Sequence, residues 1–491
     1  MAMDKNTGSM RDLAFHYEAM KRADPLGRFM IVFDIDGTIL DACQSALTLL
    51  QAYDQEKGTG FFQGLTCEDM PGPARDMSVF LREFAFPPRV REEIEAWYEA
   101  NFYTGASIPG TQRPTHGVLD VIRWFQMQPG TCVGLNTCRP EKLRPETLRL
   151  LEDLGRDHLV EFPDSLLFMN PGLPSTVSKV HGIKEFRSRG YRLVAAIDSD
   201  MDNLRAMAQA DPSGDMLLLH AGLGPDSSGA EVPLRHAAGH LFDLTELITE
   251  KRLPRPIELV WHGVDDNAML RAFLVSSVQW AELHVRLDAA GRDLIVRAKR
   301  FADLPAAPGE CPARLDDFLY LLGEAGRGVK LDLKDPGLTG RVLGLLRDVG
   351  FSDERVWITI NSEEVKRGGL GLIMDAFPRA IKQYPVDGLE PLMSSSPGEA
   401  REYLAMLSHS GIDRFSVNWN TPRARRIIVS LQKWGFEVNI YGVPDLESFL
   451  QAALLLPRSI TAYFNFPKWF YTGISGEGER PSRVMPARMA C

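Results

Sequence analysis

The sequence predicts an α/β chain in two parts: a doubly wound parallel sheet carrying a helical insertion, then a (β/α)8 barrel of the TIM type. Three observations carry this expectation. Short apolar runs alternate with amphipathic stretches throughout, the pattern of parallel α/β architecture. The early runs are apolar without alternation, as strands covered on both faces are. Beyond a charged, proline-containing junction, eight further strand-like runs follow one another, mostly spaced by helix-like segments, near the usual barrel size of about 250 residues. A chain of 491 residues is also too long for one ordinary core.

In order, the first strands are expected at FMIVFD (29–34), CVGLNT (132–137), LVAAID (193–198) and MLLLH (216–220). Residues 41–112 break this rhythm, because SALTLLQAYDQ, MSVFLREF and RVREEIEAWYEANF carry helical periodicity. They form an insertion between the first and second strands of a domain assigned to 1–248. TEKRLPRPI, ending at 257, reads as a linker. The barrel strands are then ELVWHGV (258–264), WAELHVRL (280–287), GVKLDLK (328–334), RVWITIN (355–361), AIKQYPV (380–386), RFSVNWN (414–420), EVNIYGV (437–443) and SITAYFNF (459–466). DLIVRAK (293–299) reads as a hairpin-like excursion after the second of these. The barrel domain is assigned to 258–475, with a loosely held tail at 476–491.

Composition narrows the function classes. Apolar content of 44% and charged content of 24% are those of a globular protein. The balance of 55 basic against 65 acidic residues, −10 in all, argues against a nucleic-acid or membrane-surface binder. Six scattered cysteines (Cys43, Cys67, Cys132, Cys138, Cys311, Cys491) show no metal spacing and read as reduced thiols. The first residues have no apolar core of the signal-peptide type, and no run has the length of a membrane span, so a cytoplasmic setting is expected. Oligomeric state is not legible.

The chemistry-bearing residues stand at strand ends, where open α/β sheets place their ligands. Asp34 and Asp36 close the first apolar run in DIDGT, and burying bare carboxylates there is costly unless a cation or a reaction needs them. Thr137 follows a strand in LNTCRP, Lys179 opens a helix in VSKVHGIKEF, and Asp198 and Asp202 follow a strand in AIDSDMD. Carboxylates, a hydroxyl and an ammonium on neighbouring strand ends suit a phosphoryl group with Mg2+, one Asp being free to attack phosphorus. Lys184 competes with Lys179; a place one helix ahead of LVAAID favours Lys179. Arg139 reads equally as a substrate ligand or a structural surface residue. Phe61, Phe62, Arg82 and Arg91 read as contacts of a lid or as its core and solvated charge.

This ordered set resembles the haloacid dehalogenase superfamily, specifically its phosphatases, over residues of about 25 to 248. The resemblance implies that Asp34 is the nucleophile that becomes an aspartyl-phosphate. Asp36 is then the acid for the leaving oxygen and the base for water, Thr137 holds phosphoryl oxygens, and Lys179 steadies Asp34. Asp34, Asp36, Asp198 and Asp202 gather around Mg2+. The insertion is similar to that superfamily's small helical cap, whose closure excludes water and favours small phosphorylated metabolites.

In the second part, His262, Glu282, His284, Asp332 and Lys334 stand near the ends of three successive barrel strands, where catalytic residues of such barrels collect. Alternation puts Glu282 and His284 on one side, and Asp332 and Lys334 likewise. The order resembles glycerophosphodiester phosphodiesterase-like barrels, and more closely their menorin-type branch, which implies a second divalent cation. Two departures stand out: His284 replaces that family's Asp, and its second catalytic His is replaced, Arg297 lying nearest in LIVRAKRF. The expected activity is therefore Mg2+-dependent hydrolysis of a small phosphomonoester, joined to a barrel that cleaves or binds a phosphodiester. Phosphoryl transfer to another acceptor, and a catalytically degenerate barrel, stay open.

Overall fold

The computed structural model describes residues 9–66, 69, 77–82, 84–102, 113–211, 213–221, 235–236, 242–248, 257–301, 303–304 and 313–463. The chain divides into two units, Met1–Thr249 and Glu250–Cys491. Most of the expected linker, the tail, and Cys67, Cys311 and Cys491 lie outside the described residues.

Unit one is built on a parallel sheet of six strands: β1 (Phe29–Phe33), β2 (Thr131–Pro140), β3 (Leu167–Asn170), β4 (Arg192–Asp198), β5 (Leu217–His220) and β6 (Arg235–His236). Their order is β3-β2-β1-β4-β5-β6. All five residues of β1 are buried, which is why FMIVF can be apolar without alternation. The order reverses between β1 and β4, so a crevice opens beyond the carboxyl ends of those two strands. Asp34 N–H donates to Ile197 O at 2.9 Å and carries the β1–β4 ladder one residue past β1. Gly37 then turns the chain with φ of +83°, a region costly for side-chain-bearing residues. β3 and β6 were not expected from the sequence, and Thr137 sits inside β2 rather than beyond it.

The insertion holds helices Ala42–Lys57, Met77–Arg82 and Pro88–Phe102. They share a core of Leu49, Leu50, Tyr53, Phe62, Phe80, Leu81 and Ile94, among others. Gly58 ends the first helix in the left-handed region. The buried Asp54 carboxylate then accepts from Phe61 N, Phe62 N and Thr59 Oγ1, at 2.6–3.1 Å. That grip turns Phe62 into the core while Phe61 stays exposed.

Unit two is a closed barrel. Its eight parallel strands are β7 (Glu258–Trp261), β8 (Trp280–Leu287), β11 (Gly328–Leu333), β12 (Val356–Thr359), β13 (Ile381–Pro385), β14 (Arg414–Asn418), β15 (Glu437–Val443) and β16 (Ser459–Ala462), with β16 pairing back to β7 and β7 to β8. Two further strands extend the sheet: β9 (Leu294–Val296), the expected excursion, pairs antiparallel with β8, and β10 (Ala313–Arg314) pairs antiparallel with β9. Its lumen departs from the usual filling by branched apolar side chains. Glu282, Lys330, Arg414, Asn439, Ser459 and Thr461 are all buried. Arg414 meets Glu258 at 2.8 Å and Glu437 at 2.9 Å, and its guanidinium stacks over Trp357. Buried charge is thus paired strand to strand inside the barrel. Among the described residues, no helix is long and apolar enough to cross a membrane.

Candidate active sites

In unit one, Asp34 follows β1, Asp198 ends β4, and Lys179 lies in the first turns of helix Ser175–Ser188. The fold brings the three together almost wholly out of water. Lys179 Nζ lies 2.6 Å from Asp34 Oδ1 and 2.7 Å from Asp198 Oδ2, and donates to Asn136 O at 2.6 Å. Asn136 Nδ2 returns a bond to Lys179 O at 2.8 Å, so strand and helix hold each other in register. Burial disfavours the Lys179 ammonium, but the Asp198 and Asp34 charges outweigh it, and its pKa is raised. Lys184 is exposed, and it is Lys179 that faces the carboxylates.

Asp36 is held differently. Arg139, itself buried, donates from Nε to Asp36 Oδ2 at 2.9 Å and from Nη2 to Oδ1 at 2.8 Å. Arg139 is therefore neither exposed nor idle. Its own backbone N–H donates to Thr137 Oγ1 at 3.2 Å, which ties Thr137 to the same corner. Tyr98, from the last helix of the insertion, has its hydroxyl pKa pushed up by burial first and then by the Asp36 and Cys43 charges. Asp202 is not brought in: its carboxylate is exposed and pairs with Arg205 at 2.9 Å. The reason is local, since Asp200 caps the helix by accepting from Asp202 N and Asn203 N, and the side chain of the next Asp swings to solvent. Asp198 takes Asp200 N–H at 2.9 Å and sits beside Asn203 Nδ2.

Which groups suit Mg2+ follows from charge. Two buried carboxylates, Asp34 and Asp198, share one ammonium, while Asp36 is balanced by Arg139. The cluster presents carboxylate oxygens, the ligand type a hard dication takes. The residues present fit that ion.

In unit two, His262 follows β7 and bonds through Nδ1 to Glu282 Oε2. Lys330 Nζ holds the other oxygen, Glu282 Oε1, at 2.9 Å and also donates to Thr461 at 3.2 Å. Burial opposes the Glu282 anion, but Lys330 and then His262 win, and its pKa falls well below the carboxylate range. His284 donates from Nδ1 to Asp265 Oδ2 at 2.5 Å, and its backbone N–H donates to Asp265 Oδ1 at 2.9 Å. His284 Nε2 faces Asp332 Oδ2 at 3.9 Å, and Lys334 Nζ sits 2.5 Å from that same oxygen. All five barrel residues expected from the sequence converge here. Lys330 and Asp265 were missed: alternation in KLDLK places Lys330 on the face of Asp332 and Lys334, but Asp265 lies in a loop and leaves no periodic signal. Arg297 does not join them. It donates to Lys299 O at 3.1 Å and Leu304 O at 2.6 Å, bracing the loop after β9.

No family model matches the chain, and none of the curated proteins does. Among solved structures the neighbours are of two kinds. A glycerophosphodiester phosphodiesterase from Agrobacterium tumefaciens str. C58 is 18% identical and covers 44% of this chain and 100% of its own, with TM-score 0.31. The glycerophosphoryl diester phosphodiesterase domain of a Mycobacterium tuberculosis protein is 11% identical, covering 45% and 98% with TM-score 0.30. A HAD-superfamily hydrolase, subfamily IA, from Geobacter sulfurreducens PCA is 17% identical, covering 45% and 96% with TM-score 0.28. Likeness at these scores carries nothing about chemistry, which rests on the side chains above.

Proposed function

We propose that unit one is a Mg2+-dependent phosphatase acting on a small phosphomonoester through an aspartyl-phosphate at Asp34, and that the barrel binds and cleaves a phosphodiester. The observation that carries the first reading is the buried Asp34–Lys179–Asp198 cluster at the sheet's switch point. Asp34 attacks phosphorus, and the ester oxygen departs with a proton from Asp36. Water then attacks the same phosphorus, Asp36 takes its proton, and Asp34 is released with inorganic phosphate. Lys179 pairs with Asp34 and aims it, and Thr137 and the backbone around it receive phosphoryl oxygens. Asp34 and Asp198 would hold Mg2+, which would supply further charge neutralisation of the phosphoryl group. Asp36 is an anion gripped by Arg139 in this state, so donating a proton requires that pair to part.

In the barrel, Lys334 offers a cation for a phosphate oxygen, and His262, a quarter exposed, is the group placed to carry a proton. The test uses the full chain. Hydrolysis of p-nitrophenyl phosphate that needs Mg2+, and that Asp34→Asn lowers by at least about 1,000-fold, is the expected result, nucleophile loss being of that order or larger. Metal-independent turnover, or turnover unaffected by Asp34→Asn, would sink the reading.

A further inference from the structure

The barrel cluster has two properties that together bear on which ion it takes. Its donors are mixed: ligand-capable atoms of His262, Glu282 and His284 lie within 4.8 Å of one another, and Asp332 Oδ2 is 3.9 Å from His284 Nε2. Two ligands each about 2.1 Å from an ion stand at most about 4.2 Å apart, so a small contraction closes the set. Its carboxylates are also already shared, Glu282 with Lys330 at 2.9 Å and Asp332 with Lys334 at 2.5 Å. A hard cation such as Mg2+ or Ca2+ depends on anionic oxygen, and here both anionic oxygens give part of their charge to an ammonium. Imidazole nitrogen loses nothing by those neighbours, and it favours borderline ions.

The geometry around His284 strengthens the contrast. Asp265 accepts from both the ring Nδ1 and the backbone N–H of His284, at 2.5 and 2.9 Å. That holds the ring so that Nε2 faces Asp332 Oδ2, the carboxylate–histidine arrangement that orients metal ligands. We infer that the barrel is a site for a borderline transition ion of the Zn2+ or Co2+ class in preference to Mg2+ or Ca2+, with His284 Nε2 as its nitrogen ligand and Asp265 as the residue that positions it. The inference deepens the barrel reading by naming the ion, and binding rather than turnover tests it.

Co2+ is titrated into the full chain in millimolar Mg2+, which fills any all-oxygen site, and visible absorption and bound metal are followed. A single Co2+ per chain is expected, with the d–d bands of a nitrogen-containing site. His284→Asp should abolish those bands and move the preference to Mg2+. The milder Asp265→Asn should weaken Co2+ binding about 10–100-fold with the fold intact by circular dichroism. Co2+ uptake suppressed by Mg2+, absent altogether, or indifferent to both substitutions would overturn the inference. Uptake with these properties but without any diester cleavage would leave it standing and remove only the catalytic role of the barrel.

Discussion

Lys179 shows how a single residue can be required by its neighbours before any substrate arrives. Without its ammonium, Asp34 and Asp198 would be two buried anions side by side, and an uncompensated buried charge costs about 3–5 kcal/mol. Elsewhere in unit one a carboxylate serves folding alone. Asp211 accepts from Arg187 at 2.7 Å, Ser213 at 2.8 Å and Met216 N at 3.0 Å, closing the turn that leads into β5. Burial works to raise its pKa, but the Met216, Ser213 and Arg187 bonds prevail, and the net shift is downward. A depressed folded-state pKa stabilises above the unfolded value of about 3.9 and is lost as pH falls through the folded value. Asp211→Asn should therefore lower Tm at neutral pH, and the gap to the parent should close as pH drops below about 4. Thermal melts across that range check this; a gap independent of pH would assign the loss to shape rather than charge.

Elements were legible in proportion to their length and burial. β1, β4 and all eight barrel strands stand where their apolar or alternating runs place them, because each must fit between covering layers. β6, with two residues, is too short for any period to register, and β3, no shorter than β7, β12 or β16, is fully buried at only two of its four positions. The site divides the same way. Residues at strand ends were readable, whereas Asn136, Arg139 and Asp265 act through partners more than about a dozen residues distant that no local pattern announces. Asp202 misled because spacing alone cannot say which of two aspartates caps a helix. The insertion's helices were legible, but which of Phe61 and Phe62 faces inward depends on the Asp54 grip. Phe62 is fully buried among Phe80, Phe84 and Phe86. Phe62→Ala should cost about 3–5 kcal/mol locally, seen as faster hydrogen exchange of the insertion helices while β1 and β4 keep their protection. Phe61→Ala, at an exposed position, should change exchange little.

At the scale of the whole chain, two clusters of different donor chemistry are carried in one polypeptide. Unit one gathers the carboxylates of Asp34 and Asp198 around the Lys179 ammonium. Unit two places the imidazoles of His262 and His284 around the Glu282 carboxylate, which is already paired with Lys330. Under the proposed function, work would pass from diester to monoester, because cleaving a phosphodiester with water leaves a phosphomonoester, the substrate class that an aspartyl-phosphate mechanism hydrolyses. The intact chain given a phosphodiester with two p-nitrophenyl arms should release nitrophenol first and inorganic phosphate after a lag. Asp34→Asn should stop phosphate release and let p-nitrophenyl phosphate accumulate, while Glu282→Gln should stop both products from the diester yet leave monoester hydrolysis at the parental rate. Diester cleavage that persists in Glu282→Gln and disappears in Asp34→Asn would place both reactions in unit one and leave the barrel as a binding module.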